Sequence, residues 1–299
     1  MSSRRGEKCR FANTTAERQT EVDLVRDYYS EQSLFEWWTR HPYRRDMVAK
    51  YSPYLAGLES ELGRTLTIVE VGSAVGADVT LLAERFPTAK VIGFDLSPEG
   101  VLTSARLAAG EFFVSDAERP ALVDNCCDVV LIVNVLHHFY RYPDQVLDEI
   151  NRILRPGGLM FLKDPNAGKI TPRLVVNITS RAMRFVHWWT RTLRRPMFDM
   201  EIPPASPTER GMRYEEVRDL LGARFDLVDR RFVDGLTHMA RWHAFPQWPL
   251  RLLDKAIHFV DPRSLVFYSF VCRSRKPRAE LSSWWQCDPS QTSSSRSSD

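Results

Sequence analysis

The sequence is poor in cysteine, carries almost no net charge and contains no long apolar run. Its five cysteines are odd in number and scattered, at Cys9, Cys126, Cys127, Cys272 and Cys287. This distribution predicts neither a disulfide framework nor a metal site, and it favours a reducing compartment. The formal net charge of +3 over 299 residues gives no argument for nucleic-acid binding.

Two further absences concern membranes. No apolar run of the sequence reaches the roughly 18–20 residues that a bilayer-spanning helix needs. The segment 1–10 is polar and basic and lacks the apolar stretch of a secretory signal. We therefore expect a soluble, cytoplasmic protein. With 43% hydrophobic residues, the chain can bury a sizeable core.

Strand-like and helix-like segments alternate between residues 65 and 164. The predicted strands are 66–71, 90–95, 111–114, 127–134 and 158–163, and the predicted helices are 76–86, 98–109 and 144–154. This alternation is typical of an α/β fold with parallel strands, crossover helices and a doubly wound sheet. The nearly continuous apolar run at 127–134 predicts a central strand that is buried on both faces.

The remaining segments outline the domain organisation. We expect a disordered N-terminus (1–20), an N-terminal helical lid (21–62) and one large domain (63–273). Insertions interrupt this domain at 165–212 and 236–262, and a helix at 213–222 and strands at 225–233 and 264–272 complete it. The charged, serine-rich tail (274–299) is predicted to be disordered.

The most informative segment is 68–76, an apolar strand that ends in Glu70 and a turn bracketed by Gly72 and Gly76. Strand, tight turn and helix in this order let backbone N–H groups approach a bound cofactor closely. Asp95 ends the next strand, 19 residues beyond Gly76, where a carboxylate can accept hydrogen bonds from ribose hydroxyls. Asp116 follows the third strand. This pattern predicts a cofactor of the nucleoside type.

These features, with the Pro156-Gly157-Gly158 segment between a helix and a strand, resemble class I S-adenosylmethionine-dependent methyltransferases. The resemblance covers about residues 65–164 and is strongest to the small-molecule, quinone-type branch. It implies a Rossmann-like, doubly wound, seven-stranded sheet whose last strand is antiparallel, with N-terminal helices and a helical cap insertion. It also implies S-adenosyl-L-methionine as the cofactor.

The resemblance assigns cofactor contacts along the chain. It places the methionine and ribose part beside Glu70, Gly72, Ser73 and Gly76, the ribose hydroxyls at Asp95, and the adenine near Leu96, Asp116 and Ala117. Asn134 would lie at the mouth of the fourth strand, near the methionine end. The family usually has a glycine where this chain has Ala74, and the extra methyl group narrows the approach of the backbone to the cofactor.

A candidate base follows the fourth strand. The run Leu136-His137-His138 is similar to the Leu-His-Asp-Trp segment of metal-free plant-type O-methyltransferases, in which the histidine acts as base. The resemblance therefore makes His137 the catalytic candidate, ahead of His138 and Tyr140. The alternative is that His137 only caps or packs its loop.

Several motifs that are missing after the fourth strand reduce the number of possible reactions. The exit reads Asn134-Val135-Leu136-His137 rather than Asn-Pro-Pro-Tyr, which removes the usual signal for methylating a nucleobase amine. No Pro-Cys nucleophile follows the fourth strand, which argues against methylation of cytosine at C5. Asp164 and Asn166 are similar to the Asp-Asn pair of metal-dependent O-methyltransferases, but the partner Asp expected at the end of the fourth strand is missing, and we predict no metal.

The insertion after the fifth strand is basic and aromatic. Three interpretations stay open: a lid over an apolar or anionic acceptor, peripheral membrane contact through residues 170–195, or a packed helix with a solvated basic face. We expect methyl transfer to a small or lipid-like, apolar or aromatic acceptor, with oxygen favoured as the target atom and no nucleic-acid partner. The alternatives are an NAD-dependent oxidoreductase using Gly72-x-Ala74-x-x-Ala77 and a non-catalytic cofactor-binding scaffold. The oligomeric state is not predicted.

Overall fold

The structure is a computed structural model. It describes residues 32–40, 42–139, 141–167, 211–233, 252, 254–256, 259 and 267–276. The predictions for segment 1–20, for nearly all of the two insertions and for the tail beyond residue 276 lie outside these residues.

Seven strands form one sheet in the order β3-β2-β1-β4-β5-β7-β6. Only β7 runs antiparallel, to both β5 and β6. This arrangement confirms the predicted doubly wound α/β sheet with an antiparallel last strand. The strands are β1 (Thr67–Val71), β2 (Lys90–Asp95), β3 (Glu111–Val114), β4 (Cys127–Val133), β5 (Leu154–Pro165), β6 (Phe225–Val233) and β7 (Phe267–Ser274).

Six helices with defined bounds and one short 3-10 turn surround the sheet, and the described residues 252, 254–256 and 259 are also helical. The helices are α1 (Gln32–Arg40), α2 (Pro42–Leu62), α3 (Ala77–Arg85), α4 (Pro98–Leu107), α5 (Pro143–Ile153) and α6 (Tyr214–Gly222), and the 3-10 turn is Leu136–Phe139. Local sequence explains α4 well, because Ser97 accepts a hydrogen bond from the Gly100 N–H and Pro98 opens the first turn.

The Pro156-Gly157-Gly158 segment differs from its prediction as a linker between a helix and a strand. It lies inside β5, which begins at Leu154, before the predicted start at residue 158. Leu154 pairs with Cys127 and Leu159 pairs with Val129, so β5 bulges between these two pairs. Gly157 has a φ of 74°, and a Cβ on Gly158 would lie 2.8 Å from the Asp128 carbonyl oxygen. Glycine therefore permits a bulge where sequence analysis expected a turn.

The strands alternate their side chains between two apolar clusters, one on each face of the sheet. Val130, Ile132 and Met160 face the cluster that includes α5 and α6. Leu131 and Phe161 face the opposite cluster, which includes α2 and α3. Every residue of β4 is buried, as predicted for the central strand.

The helices that the structure describes include none with the length and apolar character needed to cross a membrane.

Candidate functional site

The turn after β1 is held tightly against the end of β2. The N–H groups of Gly72 and Ser73 both donate to the Phe94 carbonyl, at 2.9 and 3.0 Å. Gly72 has a φ of 68°, and a Cβ at this position would lie 2.5 Å from Val135 Cγ2. Gly76, with a φ of 76°, then starts α3. Both bracketing glycines thus hold the left-handed conformations that glycine adopts most easily.

Ala74, between these glycines, also has a left-handed backbone, with a φ of 48°. This conformation costs an L-residue about 1–2 kcal/mol. Two side chains hold the residue in place: Ala74 N–H donates to Asp95 Oδ2 at 2.8 Å, and its carbonyl accepts from Ser104 Oγ at 2.9 Å. The missing family glycine therefore corresponds to a position where glycine would relieve backbone strain.

Asp95 links this turn to the start of α4. Its carboxylate accepts from Ala74 N–H and, at 2.9 Å, from Ser97 N–H. Burial raises the pKa of Asp95, while these backbone hydrogen bonds and the charge of His138 oppose that rise. A carboxylate has about four lone-pair sites, so Asp95 retains acceptor capacity for hydroxyl groups.

Three charged side chains beneath the turn form a cluster, of which sequence analysis identified only Glu70. Arg44 of α2 forms an ion pair with Asp78 in the first turn of α3, and both side chains are buried. The Arg44 guanidinium also lies 3.8 Å from the centroid of the Trp38 ring. Arg44 and Asp78 are 34 residues apart in sequence, so no local pattern predicts their contact.

Glu70 is the least compensated member of this cluster. Burial, followed by the charge of Asp78, raises the pKa of Glu70 well above its ordinary value, although the charge of Arg44 opposes the shift. Its Oε2 atom has no hydrogen-bond partner among the residues that the structure describes. A buried carboxylate in this state gains from a cationic donor.

Other buried oxygens at the carboxyl ends of the strands share this property. Ser73 Oγ and Asn134 Oδ1 also lack hydrogen-bond partners within the described residues. Buried polar atoms are normally satisfied, so several orphaned ones along one edge indicate a ligand-binding edge. Glu70, Ser73 and Asn134 together fit a ligand rich in N–H and O–H donors, such as the amino and hydroxyl groups of S-adenosylmethionine.

The predicted adenine-side residues follow β2 and β3 at the same edge. Asp116 Oδ1 accepts from the Glu118 N–H at 2.9 Å, and Ala117 beside it is buried. Leu96 is half-buried and directly follows Asp95. The structure brings all the predicted cofactor residues to the carboxyl ends of β1, β2, β3 and β4, and their individual contacts with a cofactor stay predictions.

His137 lies in the 3-10 turn after β4 and pairs with Asp164 of β5. Its Nδ1 is 2.9 Å from Asp164 Oδ1, and both residues are almost completely buried. The His138 ring lies against it, with 4.2 Å between the ring centroids. A carboxylate at Nδ1 favours the tautomer with a proton on Nδ1, in which the basic lone pair of the ring is on Nε2.

Asp164 was compared above with a residue of a metal-dependent site, but here its carboxylate contacts the His137 ring. No cluster of three potential metal-binding His, Cys, Asp or Glu side chains occurs in the described part of the chain. The prediction of no metal stays a prediction. Tyr140 lies outside the described residues, as does the segment 170–195 considered for membrane contact.

Comparison with known proteins gives a family match. The family described as "Methyltransferase domain" matches residues 69–162. Trans-aconitate 2-methyltransferase of Variovorax paradoxus is 29% identical over 185 residues, which cover 61% of this chain and 62% of that protein. Fatty-acid O-methyltransferase of Mycolicibacterium smegmatis is 29% identical over 169 residues, which cover 54% of each. The chain thus spans between about half and three-fifths of these curated relatives.

A solved structure is also similar. A SAM-dependent methyltransferase from Archaeoglobus fulgidus aligns with a TM-score of 0.50 and 14% identity, over 81% of this chain and 98% of that one. At this identity the similarity shows a shared fold.

Proposed function

Because the chain carries a class I S-adenosylmethionine-dependent methyltransferase domain, we propose that the protein methylates an oxygen atom of a small, apolar or aromatic acceptor. Its family and fold make S-adenosylmethionine the cofactor. The observation that carries the choice of oxygen is the buried His137–Asp164 pair, which lies at the same sheet edge as Glu70 and Asp95. The relatives act on trans-aconitate and fatty acids by name, which supports a small acceptor.

The proposed mechanism assigns separate tasks to the chain's own residues. When bound, S-adenosylmethionine supplies a methyl group already activated on a sulfonium, so the protein must mainly align the acceptor and exclude water. Glu70, Ser73 and Asn134 would hold the methionine part, and Asp95 would hold the ribose.

His137 acts on the acceptor. Its Nε2 removes the hydroxyl proton of the acceptor and leaves the oxygen nucleophilic, while the proton stays on the imidazole. Asp164 holds the tautomer and stabilises the resulting imidazolium through Nδ1. Asp164 therefore acts through His137 and is a positioning residue.

Turnover of acceptors by His137→Ala tests the catalytic role. We expect turnover to fall by about 10²–10⁴-fold, which is the usual contribution of a general base. The affinity for S-adenosylhomocysteine, measured by calorimetry, should stay within about twofold. His138→Ala tests the second candidate and should leave turnover near the wild-type rate if His137 is the base. An unchanged rate would make His137 structural and favour an acceptor that is already ionised.

Calorimetry of the cofactor separates the competing functions. The wild type should bind S-adenosylmethionine and S-adenosylhomocysteine but not NADH, and Asp95→Ala should lose most of this binding. NADH binding would support the oxidoreductase alternative. Cofactor binding without turnover of any acceptor would support the scaffold alternative.

The cellular location is also a proposal. We infer a cytoplasmic protein, which Cys126, Cys127 and Cys272 support because all three are free thiols. Contact with a membrane surface through residues 170–195 concerns a segment outside the described residues.

A further inference from the structure

Arg44 connects the N-terminal helices to the turn after β1. It lies near the start of α2, and its guanidinium forms an ion pair with Asp78 in the first turn of α3. The same guanidinium lies over the Trp38 ring of α1, 3.8 Å from its centroid. Only 8% of Arg44 and none of Asp78 is exposed. One buried arginine therefore joins three helices just beyond the glycine-bracketed turn.

Glu70 of β1 points to the same side of the sheet as this ion pair. Ile68, two residues earlier on the strand, belongs to the apolar cluster that includes α2 and α3, and side chains two residues apart on a strand share a face. The Asp78 carboxyl group is close enough to share a hydrogen bond with Glu70. Asp78 Oδ1 and Glu70 Oε2 both lack a partner within the described residues. Two buried carboxyl groups thus meet beneath the turn.

The charge on Glu70 depends on its neighbours. Two buried carboxyl groups in contact cannot both stay ionised without a compensating cation. The first-turn position in α3 and the Arg44 guanidinium both stabilise negative charge on Asp78, so Glu70 is the member of the pair that takes up a proton. Burial raises the pKa of Glu70, Asp78 adds to this rise, and the charge of Arg44 opposes it. Asp95, which faces Glu70 from β2, adds a smaller rise.

We propose that Arg44 is a positioning residue of the cofactor site, which acts through Asp78 to keep Glu70 able to accept a hydrogen bond from the cationic amino group of the cofactor. Arg44 holds Asp78 as its counter-ion, and Glu70 keeps its acceptor for the ligand. A protonated Glu70 would donate to Asp78 instead and offer the ligand no charge. The inference rests on the methionine-side assignment of Glu70 in the proposed function, and it is independent of His137.

The pH dependence of cofactor binding tests this role in the full-length protein. Calorimetry with S-adenosylhomocysteine, which carries the same amino group, gives the affinity between about pH 5.5 and 8.5. In the wild type the affinity should fall as the pH decreases through the pKa of Glu70. Arg44→Met removes the opposing charge, so the midpoint of this fall should move up by about 1–3 pH units. Arg44→Lys keeps the charge and should hold the midpoint within about half a unit of the wild type.

Asp78→Asn should shift the same midpoint in the opposite direction. It removes the acid that disfavours charge on Glu70, so the affinity should persist to a pH about one unit or more lower than in the wild type. The double variant Arg44→Met/Asp78→Asn should have a midpoint between those of the two single variants. Because Asp78→Asn retains Arg44, it keeps the test decisive even if Arg44→Met does not fold.

Arg64→Met is the matched control, because it breaks an ion pair between an arginine and the buried Asp128 at the amino edge of the sheet. It should lower the free energy of unfolding and leave the pH profile of binding unchanged. Three outcomes would overturn the proposal: a wild-type profile in Arg44→Met, an affinity loss in that variant that is equal at every pH, or an unchanged midpoint in Asp78→Asn. The expected shifts without methylation of any acceptor would keep the role of Arg44 and reject the proposed function.

Discussion

Two buried carboxylates, at opposite edges of the same sheet, show how structural and functional sites differ in this molecule. Asp128 lies near the amino end of β4, and Glu70 lies near the carboxyl end of β1. Both residues are at most 2% exposed. Asp128 accepts hydrogen bonds from Arg64, Arg155 and the Thr67 N–H through its two oxygens. Glu70 retains an oxygen without a partner within the described residues.

The pKa values of the two carboxylates move in opposite directions, because hydrogen-bond donors outweigh the effect of burial only at Asp128. Burial raises the pKa of Asp128, but its bonds from Arg64 and Thr67 and the charge of Arg155 lower it below the ordinary value. Burial and Asp78 raise the pKa of Glu70, and Arg44 compensates only in part. The amino edge is therefore electrostatically complete, whereas the carboxyl edge gains from a ligand.

The largest effect on stability is expected from Asp128→Ala. This change leaves two arginines at the amino edge without their carboxylate, which should lower the free energy of unfolding by about 3–5 kcal/mol. Urea denaturation measures the loss. The affinity of the folded variant for S-adenosylhomocysteine should be unchanged. A stable variant that has lost cofactor affinity would contradict a purely structural role for the amino edge of the sheet.

Glu70→Gln should have the opposite profile. It removes a poorly compensated buried charge, so the free energy of unfolding without ligand should not fall at neutral pH. It also removes the charged acceptor, so the affinity for S-adenosylhomocysteine should fall by about 10–100-fold. Calorimetry and urea denaturation of the same preparation give both quantities. A loss of stability without a loss of affinity would make Glu70 a structural residue.

The two carboxylates should also give opposite pH dependences. The raised pKa of Glu70 adds stability at low pH, and this stability is lost as the pH rises through its folded-state pKa. The lowered pKa of Asp128 adds stability at higher pH, and this stability is lost as the pH falls through its folded-state pKa. Each pKa unit corresponds to about 1.4 kcal/mol.

Denaturation curves across the pH range check this directly. Glu70→Gln should remove a decline in stability toward neutral pH. Asp128→Asn should remove a decline in acid. If Glu70→Gln leaves the pH profile unchanged, Glu70 is not the uncompensated group.

The smallest effect is expected from Ala74→Gly. Glycine relieves the left-handed backbone strain but adds freedom to the unfolded chain, so stability should rise by no more than about 1 kcal/mol. Thermal denaturation measures it, and Ala77→Gly, in the buried first turn of α3, should instead destabilise. A large gain in cofactor affinity for Ala74→Gly would show that the methyl group obstructs the ligand.

Most of the sheet could be predicted because its signals are local. The apolar run of β4, the glycine-bracketed turn after β1 and the acid at the end of β2 each lie within a few residues of sequence. The structure also confirms the seven strands and the antiparallel β7 that the family resemblance implied, and it supplies the strand order. The bulge at Gly157 and Gly158 escaped prediction because its shape depends on pairing with β4.

The charged contacts of the site were predictable only in part. Glu70 and Asp95 follow from the turn pattern, but Arg44 meets Asp78 across 34 residues and His137 meets Asp164 across 27. In the sequence, Lys163 is one polar residue near the end of an apolar strand. In the structure it lines a groove whose other residues come from α2, β6 and β7.

The alternation of strands and helices, and the acids at the strand ends that indicate the kind of cofactor, follow from the amino-acid sequence alone. Apolar periodicity and the backbone preferences of glycine act over short distances, so they can be identified from the sequence. Which buried acids have compensating donors, which histidine has a carboxylate partner and where positive charge is buried become apparent only in the folded protein. Those properties depend on side chains brought together from distant segments, and on the water that their packing excludes.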